Sequence, residues 1–217
     1  MTPDLAQVLN TLAHEIRTPL AVSQGYLKLL LDGRLTDADE TRKAMEQTRQ
    51  ALGTLATYCM DMGKISALAE GGSRGIPSRL TATDLVMSVR EHTEVRHAAF
   101  NGSTGDGLIE SPSARDLAYA VAIVAKAAFD EARDSAHAVE TRDDSNGLVL
   151  LAGAADAVPV LRNGPKAPSA RPVDFGKGGK GLKLIWAAFV LDRHGVETWT
   201  DDGARASVGI RIPMVQA

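Results

Sequence analysis

A basic surplus is the first thing this chain lacks. Its 24 Lys and Arg stand against 27 Asp and Glu, a formal net charge of -3. A nucleic-acid partner ordinarily needs the opposite sign, so none is expected. Aromatic side chains make up only 4% of the 217 residues, so the core has to rest on Leu, Val, Ile and Ala. The one cysteine, Cys59, excludes an internal disulfide and fits a reducing compartment. No apolar run approaches the ~18 residues that a membrane-spanning helix needs. The opening M-T-P-D-L has neither the basic start nor the apolar stretch of a secretion signal. The expectation is a cytoplasmic chain with no membrane segment. Its 44% hydrophobic and 24% charged content is that of a folded globular protein.

What is present begins with helical periodicity. Leu5, Leu9, Leu12, Ile16, Leu20, Leu27, Leu30 and Leu31 recur mostly at three- and four-residue steps, which predicts one long helix over 3–31. Asp32-Gly33 stops it, and Thr36 or Asp37 can cap a second helix. That helix carries Met45, Leu52, Leu55, Cys59, Met62 and Ile65, with heptad spacings among them. Two long helices joined by a short turn make a hairpin whose apolar face needs a cover. Two such hairpins form a four-helix bundle, so a homodimer is expected.

The Gly/Ser/Pro-rich string over 71–79, G-G-S-R-G-I-P-S-R, reads as a linker between domains 1–70 and 80–217. Beyond it the spacing predicts a helix over 83–92, a strand at 107–110, and an alanine-rich helix capped by Ser111-Pro112 and running to about Arg133. Strands at 138–142 and 147–152 flank the turn D-D-S-N-G. A long loop over 160–181 precedes a helix at 182–194. V-E-T-W-T and A-S-V-G-I-R-I-P supply two closing strands. Helices with a mostly antiparallel sheet make the fold class α+β, with a sandwich as the second domain.

Within the first helix stands H-E-I-R-T-P-L, residues 14–20. A neutral imidazole is a competent nucleophile near pH 7 and can accept a phosphoryl group. Glu15, about 100° around the helix, would meet an incoming substrate and can take a proton. Thr18, a turn on, can position a water. Pro19 frees a backbone carbonyl at Glu15 and bends the helix just past the site. The bland alternative is a surface His-Glu pair beside a tolerated kink.

The whole string resembles the H box of two-component sensor histidine kinases, and the order hairpin, linker, α+β domain matches that family too. The resemblance implies that the hairpin dimerises, that His14 is the phosphoacceptor, that Glu15 is the acid/base residue, and that Thr18 orients water during dephosphorylation. It also implies a second domain of the ATP-binding type. That domain should hold an asparagine for magnesium, a D-x-G-x-G box for adenine and a glycine-rich lid.

Here the sequence departs from the family. The helix A-I-V-A-K-A-A-F (122–129) puts Lys126 where the magnesium asparagine belongs, and an ammonium has no lone pair for a cation. In G-L-V-L-L-A-G-A-A-D-A-V-P (147–159), Gly153 falls on the adenine-binding aspartate. The lid string F-G-K-G-G-K-G-L-K-L (175–184) keeps Phe175, Gly179, Gly181 and Leu182 but has Lys183 for the last glycine.

An intact phosphoacceptor beside a degraded nucleotide site resembles dimeric histidine phosphotransferases. These shuttle phosphate between receiver domains of response regulators. This implies no bound cofactor, with ATP and magnesium binding disfavoured at the second domain and magnesium supplied by the partner receiver. The alternatives are an ATP-dependent kinase core with a divergent nucleotide site, and a non-catalytic pseudokinase that modulates other kinases.

Among the remaining residues, His92, His97, His137 and His194 show no shared metal-ligand spacing, and no metal site is expected. Cys59 is read as core and Trp186 as packing on the sheet. Arg17 and Lys28 are read as a solvated helix face. Arg162, Lys166, Arg171, Lys177, Lys180 and Lys183 make the long loop basic.

Overall fold

The computed structural model describes residues 3–71, 77–163, 181–200 and 206–215. Helix α1 (Leu5–Leu31) starts at an Asp4 cap whose carboxylate accepts from the Gln7 amide, and it runs without a break through Pro19. Gly33 follows its end at φ 63°, a left-handed conformation that glycine adopts without steric cost. Asp37 caps helix α2 (Ala38–Ala69), accepting from the amides of Asp39 and Glu40. The two form the expected hairpin.

Within one chain the two helices meet through a seam other than the leucine stripe. The buried seam of α1 is Val8, Thr11, Glu15, Pro19 and Ser23, and that of α2 is Ala44, Thr48, Ala51 and Ile65. Small and polar residues let the two helices approach closely. Leu5, Leu9, Leu20, Leu27 and Leu31 lie about 100° around α1 from that seam, and all are exposed, Leu31 at 86%. Met45 and Leu52 on α2 are exposed likewise. Cys59 shares their stripe and is also exposed, contrary to the expectation of a core cysteine.

The second domain has helices α3 (Ala82–Glu91), α4 (Ala114–Glu131) and α5 (Gly181–Arg193) on one face of a five-stranded sheet. Its strands are β2 (Ala99–Gly102), β4 (His137–Asp144), β5 (Gly147–Ala154), β6 (Glu197–Trp199) and β7 (Ser207–Ile212). They lie in the order β2-β4-β5-β7-β6, with β2 parallel to β4 and the other pairs antiparallel.

Strand β5 is central and buried at all eight residues, hence its unbroken apolar string. Leu148, Leu150 and Ala152 face the helices. Val149 and Leu151 face a short 3-10 helix, Val158–Asn163, with Trp199 beneath it. Arg162 is not a free loop cation. It grips the Glu140 carboxylate with two nitrogens and so ties that 3-10 helix to β4.

Three local expectations change. A separate pair, β1 (Ser78–Thr81) and β3 (Leu108–Ser111), begins inside the string read as linker. Residues 72–76 of that string lie outside the described residues. Strand β2 carried no alternating pattern in the sequence and went unassigned. Ser111 ends β3 and does not cap α4, a role that falls to Ser113, whose hydroxyl accepts from the Asp116 amide.

Ser111 serves another purpose. Its hydroxyl accepts from the Ser113 amide and meets His194 Nε2 at 2.8 Å, while His194 Nδ1 meets the Val190 carbonyl at 2.7 Å. A carbonyl only accepts, so Nδ1 carries the proton and Nε2 accepts from Ser111. Burial, the first cause, holds the imidazole below its ordinary 6.5. The unfolded chain therefore binds the extra proton first, and stability from this group is complete above 6.5 and lost as pH falls through the folded value. The melting temperature should fall between pH 7 and 5, and His194→Asn should flatten that slope in thermal melts across the range. An unchanged slope would mean that other groups control acid stability.

Candidate functional site at the hairpin

The seam register decides which side chains of 14–20 face inward. Glu15 and Pro19 lie on the buried stripe, and His14 and Thr18 lie beside it on the exposed side. His14 has no hydrogen-bond partner among the described residues. It opens onto a cavity of about 380 Å³. From α1 this cavity is lined by His14, Glu15, Thr18 and Pro19, and from α2 by Gln50 and Tyr58 among others.

Glu15 was expected to face an incoming substrate. In this arrangement it is 7% exposed and already engaged, because the amide of Gly181 donates to its Oε1 at 3.1 Å. Gly181 is the first residue of α5, and an unpaired amide at a helix start favours an anion. Val8 and Ile65 of the hairpin pack there against Leu182 and Ile185 of α5, with Leu12, Tyr58, Trp186 and Phe189 around them. Trp186 thus packs partly on the hairpin and on Tyr119, and not simply on the sheet. The second domain sits on α1, with the start of α5 against the residue next to His14.

Tyr58 is the residue that the sequence reading missed. Burial first, and then the nearby carboxylate of Glu15, push the phenol up to about 12. The signal was available in the spacing 44, 48, 51, 58, 62, 65, which is the inner seam. The more conspicuous 45-52-59 heptad hid it.

The remaining positions separate from this cluster. Lys126 on α4 forms an ion pair with Asp130 one turn on. A paired ammonium offers nothing to a cation, so the position does not fit a magnesium site. Gly153 stands where β5 meets β7 so closely that a Cβ would lie 2.5 Å from the Ser207 Cβ and 2.6 Å from the Ala206 carbonyl oxygen, at φ 155°. An aspartate side chain has no room there. Gly179 and the lid cations Lys166, Arg171, Lys177 and Lys180 lie outside the described residues. Lys183 approaches Glu94 at 3.9 Å.

His97 and His137 are hydrogen-bonded to each other at 3.2 Å beside Phe129, and His92 stacks on Tyr119. No group of three or more metal-type ligands occurs among the described residues. A larger cavity of about 880 Å³ between α2, α4 and α5 is lined by Lys64, Tyr119, Trp186 and His194 among others, but not by His14.

Gly153→Asp should cost roughly 1–3 kcal/mol in urea unfolding, as forced overpacking does. It should confer no nucleotide affinity in calorimetric titration. Tight nucleotide binding by that variant would contradict the closed β5–β7 contact.

Comparison with known proteins places these features. Residues 4–66 match the family model of the His Kinase A (phospho-acceptor) domain, a match confined to the hairpin. The histidine kinase AdeS of Acinetobacter baumannii is 16% identical, with 94% of this chain and 98% of that one aligned at a TM-score of 0.57. The histidine kinase ThkA, solved in complex with the response regulator protein TrrA, is 14% identical over 94% of this chain and 60% of its own, at 0.55. Full-length ShkA, solved in complex with AMPPNP, is 19% identical over 100% of this chain and 47% of its own, at 0.53. At such identities the likeness is one of fold. No curated protein sequence matches the chain significantly. No helix among the described residues is long and apolar enough to cross a membrane.

Proposed function

With residues 4–66 a His Kinase A domain and the chain folded as a histidine kinase core, we propose that this protein is a phosphotransferase of that type carrying its phosphoryl group on His14. The observation behind this reading is the placement of His14: exposed, unpartnered among described residues, and at the mouth of a cavity shared with Glu15 and Thr18.

A neutral ring nitrogen of His14 attacks phosphorus, and a new N–P bond forms as the P–O bond to the donor breaks. The electron pair leaves on the donor oxygen, and the proton on the other ring nitrogen passes to a base. Glu15 is the adjacent carboxylate suited to take it. Thr18, one turn from His14, suits the reverse task of holding a water for dephosphorylation.

Two donors fit this core. The fold likeness to histidine kinases favours an ATP-dependent sensor kinase core with a divergent nucleotide site. The second reading is a histidine phosphotransfer protein of a phosphorelay. It exchanges phosphate with receiver aspartates of response regulators, and the receiver brings the magnesium. Lys126 paired to Asp130 and the closed position at Gly153 favour this second donor. A receiver domain is the acceptor or donor partner in both.

The full chain is offered magnesium with labelled ATP in one arm and a panel of phosphorylated receivers in the other. Label on the wild type and none on His14→Ala is the expected result, and the labelled arm names the donor. Label from neither source, or label retained by His14→Ala, sinks the reading.

The uncovered leucine stripe supports a homodimer, in which it would form the interior of a four-helix bundle. Light scattering should give twice 22.9 kDa. The double substitution Leu20→Glu and Leu27→Glu should give the monomer mass.

A further inference from the structure

We propose that the cavity of about 880 Å³ between α2, α4 and α5 binds a small aromatic acid, and that an occupied cavity holds the second domain on the hairpin. The site is separate from the one at His14, and the inference does not rest on the role proposed for that histidine.

The volume suits such a molecule, since small-ligand sites run from about 300 to 1,000 Å³. One wall is aromatic. His92 stacks on Tyr119 with ring centroids 5.2 Å apart, and Tyr119 meets Trp186 at 5.4 Å. All three rings line the cavity, and Leu68, Ile123 and Val190 extend the apolar surface around them. A flat ring is the shape that such a wall receives best, through offset and edge-on contacts.

The charge of the lining selects the sign of the ligand. Lys64, Arg115, Lys183 and Arg193 stand against two carboxylates, Asp61 and Asp116. Asp61 is already paired with Lys64 at 3.2 Å, and Lys183 reaches Glu94 only at 3.9 Å. Arg115 has no hydrogen bond or ion pair among the described residues. It stands in the first turn of α4, whose start lies on the same wall. A helix start favours negative charge, and Asp116 is the one acidic residue of that turn. A guanidinium takes a carboxylate through two parallel N–H donors, so Arg115 is the anchor for the acid group.

Both domains supply the walls. Asp61, Lys64 and Leu68 come from the hairpin, and Arg115, Tyr119 and Trp186 come from the second domain. Trp186 also packs on the cluster of Val8, Ile65, Leu182 and Ile185, beside the hydrogen bond from Gly181 to Glu15. A molecule that touches both domains binds their seated arrangement and not the separated one, and so shifts the balance toward it.

The test titrates the full chain calorimetrically with three indoles that share one ring and differ in charge: indole-3-acetate, its neutral amide and the amine tryptamine. Two variants locate the site. Arg115→Gln removes the free cation, and Ala67→Trp fills the cavity from an exposed position on α2. Melting curves verify that both fold.

Indole-3-acetate should bind with a Kd of roughly 0.1–1 mM, the scale for so few non-hydrogen atoms. The amide and tryptamine should bind about tenfold more weakly or not at all. Arg115→Gln should weaken the acid about tenfold, and Ala67→Trp should abolish its binding. Amide hydrogen exchange at the start of α5 should slow in the wild type when the acid is present, and not in Ala67→Trp. No binding of any of the three at about 10 mM overturns the site. Equal or tighter binding of the amide or of tryptamine overturns the ligand class. Binding untouched by both substitutions puts the ligand elsewhere on the chain and overturns the assignment. Binding that leaves the exchange at α5 unchanged overturns the hold on the second domain.

Discussion

The amide of Gly181 donates to the carboxylate of Glu15, and the relation between the two domains turns on that bond. Its donor is the first amide of α5, and its acceptor lies on the buried stripe of α1. A bond between a helix start and an ionised carboxylate is charge-assisted, and the apolar ring of Val8, Ile65, Leu182 and Ile185 keeps water from competing for it. The domain is thereby seated on the hairpin beside His14 and not across from it. Glu15 is taken up by the contact, while His14, one residue earlier and about 100° around the helix, stays in the open.

The hairpin needs two different faces, and their composition follows from what each must touch. Between α1 and α2 the side chains are small or polar, as at Thr11, Ser23, Ala44, Thr48 and Ala51. The Ser23 and Thr48 hydroxyls return hydrogen bonds to the carbonyls of Pro19 and Ala44, so burying them leaves no orphaned hydroxyl. The large leucines lie on the other face, uncovered in one chain. A face so apolar and so exposed is costly unless something covers it. A second copy of the same hairpin presents the matching surface.

In the second domain the two positions expected to lack nucleotide-binding groups differ in kind, one by its charge partner and one by its space. Lys126 is a cation paired with Asp130 one turn on. At Gly153 the neighbouring strand has closed into the space that a longer side chain would need. The sheet, its order and its three-helix cover rest on the apolar residues of β5, β7 and α4.

Much of this was legible in the residues. Element types, the hairpin, the α+β domain and the H-E-I-R-T-P-L string follow from local periodicity, caps and a motif, all of which are read along the chain. Strand β2 was not legible, because four partly exposed residues pair with β4 only through contacts 39 positions away, as Ala99 does with Ala138. The inner seam was hidden because small residues carry a weak hydrophobic signal, and so the outer leucines were read as the packing face. Sequence alone thus determined that a histidine with a neighbouring carboxylate sits on a helix, and it gave the expectation that Lys126 and Gly153 stand where the resembled family has its nucleotide-binding groups. That Glu15 turns inward to Gly181, that Tyr58 lines the same cavity, and that Gly153 has no room for a longer side chain depended on packing between segments far apart in the chain. Burial is a property of neighbours in space: spacing along a helix marks its candidate faces, and only packing decides which of them is covered.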